Sequence, residues 1–67
     1  MDSENLLKFI KRSGYCTLDT IRKEYPNTNS EAIGIALNFL VNKNKVRMVN
    51  FSLNNETRRL FYIPAGL

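Results

Sequence analysis

Ser30-Glu31-Ala32-Ile33-Gly34-Ile35-Ala36-Leu37-Asn38-Phe39-Leu40-Val41-Asn42-Lys43-Asn44-Lys45-Val46 is the stretch that decides the fold. Ile33, Leu37, Leu40 and Val41 recur at i, i+4, i+7 and i+8, the one-sided spacing of an amphipathic helix. Just upstream, Asn27-Thr28-Asn29 is turn chemistry, and Thr28 with Glu31 three residues on makes a capping box that opens this helix. At its far end Asn44, between Lys43 and Lys45, takes the left-handed position that glycine usually fills after a helix. Beyond it the hydrophobic period switches from that of a helix to that of a strand. Residues 46–53 and 57–63 are β-branched and aromatic runs, separated by Asn54-Asn55-Glu56, which predicts a hairpin. Pro64 closes the second strand.

Before this segment the pattern is helical. Asp2 or Ser3 caps a first helix in which Leu6, Phe9 and Ile10 fall at i, i+3 and i+4, with Lys8, Lys11 and Arg12 off the stripe. Gly14 stops it with a positive φ. Thr17 caps a second helix over 18–25, with Leu18, Ile21 and Tyr25 on one face and Asp19 in the first turn, where the helix dipole favours an acid. Pro26 ends it, because the residue before a proline is pushed out of the helical region. The order is helix, helix, helix, strand, turn, strand, and the fold class is α+β.

Composition bounds the rest. Sixty-seven residues with no repeat or linker tract imply one domain over 1–67. The 43% hydrophobic and 24% charged fractions are those of a globular chain. No apolar run approaches the roughly 18 residues that span a bilayer, and the start Met1-Asp2-Ser3-Glu4 is acidic where a signal peptide is basic. No membrane association is expected, and the expected location is intracellular, cytoplasmic or nucleoid/nuclear. Cys16 is the single cysteine and histidine is absent, so neither an internal disulfide nor a Cys/His zinc set can form. No metal or cofactor is expected. Without histidine every Ser-His or Cys-His nucleophile arrangement is also missing, and no enzyme is expected. Cys16 itself, between Tyr15 and the Thr17 cap, reads as a small buried hydrophobe. The tyrosines and Phe51 and Phe61 read as packing against the helices, two strands being too narrow a platform for stacking bases.

A three-helix core followed by a hairpin resembles the winged helix-turn-helix superfamily, and the likeness runs over nearly the whole chain. Residues 30–46 look like the third helix and hairpin entry of such domains, although these motifs are shared by families with different partners. The resemblance implies a three-helix helix-turn-helix core with a two-stranded β-hairpin wing, and, for the small regulator type, duplex DNA as partner and transcription regulation as role. The iron-transport regulators of similar size carry a cysteine cluster in the wing that this chain lacks.

Charge and side-chain direction bear on the partner. Ten Lys/Arg against six Asp/Glu give +4 and a pI near 9.6, which favours an anionic partner. Lys43, Lys45, Arg47, Arg58 and Arg59 face only Glu56 within 43–59, so that stretch holds the entire net charge. Those residues read either as a phosphate-facing patch or as a solvated edge. On the third helix, turning about 100° per residue sets Glu31, Asn38 and Asn42 opposite Ile33, with Ile35 and Phe39 beside them. Asn38 and Asn42 have adenine-pairing chemistry and Ile35 can meet a thymine methyl, yet no Lys or Arg stands on this face. Three outcomes stay open for Ile35 and Phe39: a shallow base-reading surface, an interface with a second copy or another protein, or burial under the N-terminus or the hairpin.

Overall fold

The computed structural model describes residues 1–64 and contains three helices and a three-stranded antiparallel sheet, an α+β arrangement. Helix α1 runs Ser3–Ser13, β1 Tyr15–Thr17, α2 Leu18–Glu24, α3 Ser30–Asn42, β2 Arg47–Leu53 and β3 Glu56–Tyr62. Asp2 caps α1 by accepting from Glu4 N–H at 2.9 Å, and Gly14 ends it at φ 85°. Thr17 caps α2 through Thr20 N–H, and the Tyr25–Pro26 step terminates it.

Helix α3 starts one residue later in its capping than the sequence predicts. Asn29, not Thr28, is the N-cap, its Oδ1 accepting from Ala32 N–H at 2.7 Å. Thr28 is already committed to the preceding turn, where its N–H donates to the Tyr25 carbonyl at 3.2 Å. The other end closes as a Schellman motif. Lys45 N–H donates to the Leu40 carbonyl and Asn44 N–H to the Val41 carbonyl, both at 3.0 Å, with Asn44 at φ 60°. That tight reversal turns the chain straight into β2, with Val46 buried at the junction.

The hairpin turn is two residues, not three. Asn54 and Asn55 both have positive φ (53° and 67°), the backbone of a type I′ turn whose twist suits antiparallel strands, and Glu56 is already in β3, opposite Leu53. Strand β2 begins at Arg47 and β3 ends at Tyr62, each one residue inside the expected run.

The larger correction is β1. The expected two-stranded hairpin is a three-stranded sheet in the order β1-β3-β2, with Cys16 opposite Phe61 and Thr17 opposite Leu60. Three residues are too few to show a period, so this strand exists only through pairing with the far end of the chain. It makes β3 the central strand and leaves β2 at an edge. Cys16 and Phe61 point into the core with Leu6, Ile10, Ile21, Ile33, Ala36, Leu37, Leu40 and Val46. Every apolar stripe read from the sequence contributes to that core or, as with Phe9, Leu18, Tyr25 and Val41, packs half-buried against it.

Candidate nucleic-acid interface

Packing fixes which way α3 faces. Ile33, Ala36, Leu37 and Leu40 are buried, so Glu31, Ile35, Asn38, Phe39 and Asn42 are turned outward. Ile35, Asn38, Phe39 and Asn42 follow one another at i, i+3, i+4 and i+7 and form a single exposed stripe. Ile35 is 64% and Phe39 49% exposed, so neither is covered by the N-terminus or the hairpin. Met1 and Ser3 instead stand beside them, and with Ala32 and Ala36 the group lines a shallow apolar groove between the start of α1 and α3. Met1 reaches this patch because α1 packs against α3, and it lies beside Ile35 and Phe39 without covering them.

The basic residues divide into two groups and do not form one patch. Lys43 and Lys45 belong to the α3–β2 connection, where they share a concavity with Lys11, Leu7 and Ile63. Lys11 is thereby drawn from a distant part of the chain to the same site. The Lys43 ammonium lies over the Phe39 ring, 5.8 Å from its centroid, which ties this positive cluster to the exposed stripe of α3 through a cation–π contact.

Arg47, Arg58 and Arg59 lie on the hairpin, but not on one face of it. Successive side chains of a strand point to opposite sides, so Arg58 and Arg59 diverge. Arg59 shares the side of Phe61 and stands opposite Asn50, whereas Arg58 stands opposite Phe51 on the side of Arg47 and Tyr62. Arg58 also has acidic neighbours: Glu56 at 2.9 Å and Asp19, at the start of α2, at 3.8 Å. These are exposed pairs of small energetic weight, yet they compensate part of its charge. Among the described residues no carboxylate lies within ion-pairing distance of Arg59, Lys43 or Lys45.

The aromatic residues divide as well. Phe61 is buried and Tyr25 packs edge-on against Phe9, with its hydroxyl donating to the Asn5 carbonyl at 3.3 Å. Burial, reinforced by Glu24, raises the Tyr25 phenol above its usual range. Tyr15, by contrast, is 69% exposed and does not pack against the helices, because β1 turns Cys16 inward and its neighbours outward. Cys16 is the small core residue that the sequence suggests, and burial raises its thiol above the usual range.

No group of three or more metal-capable side chains gathers among the described residues, and none of their helices is long and apolar enough to cross a membrane. No family model, no curated protein and no solved structure matches the chain.

Proposed function

We propose that this chain is a winged-helix module that binds duplex DNA as a small regulator, with the β2–β3 hairpin as its wing. Helix α3 lies in or near the major groove, presenting Asn38 and Asn42 to base edges and Ile35 to thymine methyls. Lys43 and Lys45, joined by Lys11, and Arg59 on the hairpin hold phosphates and supply most of the affinity. Arg47 and Arg58 serve as outer contacts. The observation that carries this reading is the Lys43 ammonium resting on Phe39, since it joins a carboxylate-free cation cluster to the end of the outward stripe of α3. Glu31 at the start of the same helix opposes close approach of phosphate there, so α3 enters C-terminal end first.

Titrating a random-sequence duplex at several salt concentrations tests the proposal. Binding should weaken steeply with salt, and the joint replacement Lys43→Ala and Lys45→Ala should lower the log–log slope by about two. Salt-independent binding, or none, rejects it.

A second reading is favoured by one observation. Ile35, Phe39 and Met1 form a continuous exposed apolar patch of the kind that protein interfaces use. On that reading the domain is a subunit or inhibitor docking on transcription or replication machinery, and Phe39→Asp abolishes association while the fold persists and DNA affinity is absent from the outset.

A further inference from the structure

Edge strands expose a row of unpaired backbone N–H and C=O groups, and soluble proteins guard them with Lys, Pro, bulges or shortness. In this chain the guarding is inverted. The central strand β3 carries Glu56, Arg58 and Arg59, whereas the edge strand β2, Arg47–Leu53, carries Arg47 alone and no proline. It pairs in unbroken register with β3 over all seven residues, with no bulge. Six of the seven are exposed and Phe51 is half-buried. Toward its open side, every second residue directs both backbone groups into solvent.

We infer that two copies of this chain pair antiparallel through β2, about a twofold axis at Asn50, so that their sheets join into one of six strands. Three features of the strand suit a second copy as the occupant. Asn50 is the midpoint of the strand, so this register alone engages all seven residues on both sides. It sets Arg47 opposite Leu53 of the second copy, so the one charge of the strand never meets its own twin. It also brings exposed Val49 against half-buried Phe51 of the second copy, a β-branched and aromatic cross-strand pair. The axis stands perpendicular to the sheet, which places both copies of α3 on the same side of the joined structure.

Mass by light scattering during size exclusion, over a wide concentration range, tests this with three variants. The wild-type chain should give twice 7.8 kDa. Asn50→Asp should be monomeric at the same concentrations with an unchanged far-ultraviolet circular dichroism spectrum. Within one chain the new carboxylate faces Arg59, a favourable partner, but across the axis two carboxylates face each other. Asn50→Cys should cross-link under mild oxidation, because facing residues of an antiparallel pair lie about 4.5–5.5 Å apart at Cα, within disulfide reach. Ser52→Cys should not cross-link, since Met48 of the second copy faces that position, and Cys16 is buried in both variants. A wild-type monomer at the highest soluble concentration overturns the inference. So does a dimer that survives Asn50→Asp, one that dissociates on Phe39→Asp, or one that cross-links at Ser52→Cys but not at Asn50→Cys.

Discussion

The divergence of Arg58 and Arg59 yields a quantitative prediction about the proposed DNA complex. If adjacent arginines both neutralised phosphates, replacing both with alanine would lower the salt slope by about 1.8, at about 0.9 per phosphate contact. In the structure they leave opposite faces of β3, and Arg58 is held between Glu56 at 2.9 Å and Asp19 at 3.8 Å. A duplex lying against one face of the hairpin meets one of them. Arg59→Ala should therefore lower the slope by about 0.9 and Arg58→Ala by less than half of that, so the double variant should lower it by less than about 1.4. At 0.1 M salt one released counterion corresponds to about an eightfold affinity loss, or about 1.2 kcal/mol, well resolved by fluorescence anisotropy. Thermal unfolding of each variant checks that the hairpin persists. A double-variant slope lower by about two, or a larger effect from Arg58 than from Arg59, refutes the reasoning and means that the hairpin stands edge-on between phosphates on both sides.

Two further predictions concern the fold. Asn44 holds φ 60° in the Schellman closure of α3, so Asn44→Val should destabilise the chain by about 1–2 kcal/mol while Asn44→Gly is neutral or stabilising, read from urea midpoints. Cys16 is 3% exposed with its thiol raised by burial; a disulfide reagent should modify it only slowly without denaturant, and Cys16→Ser should lower stability by about 1–3 kcal/mol because a more polar hydroxyl is buried among the apolar side chains of the core.

Much of this architecture was legible because it is written in local periodicity. The α3 span of Ser30–Asn42 follows from the i, i+4, i+7 spacing of Ile33, Leu37 and Leu40, and its stop from Asn44, one of the few residues that accept the left-handed region cheaply. The outward stripe of Ile35, Asn38, Phe39 and Asn42 follows from the same spacing once the opposite side is known to be buried. The choice between Thr28 and Asn29 as cap was not legible, because both are good caps and a turn hydrogen bond to Tyr25 decides between them. The grouping of Lys11 with Lys43 and Lys45 was not legible either, since it depends on how α1 lies along the end of α3.

By itself the sequence set the helices, the hairpin and the side of each that is apolar, because these are properties of neighbours a few residues apart. Tertiary structure alone decided that Tyr15–Thr17 is a strand, since its hydrogen-bonding partner lies near the other end of the chain. That single pairing puts β3 in the centre and leaves β2 at an edge. Residues that lie side by side in the sequence, such as Arg58 and Arg59, are sent apart by the pleat, and residues far apart, such as Met1 and Phe39, are brought together by the core.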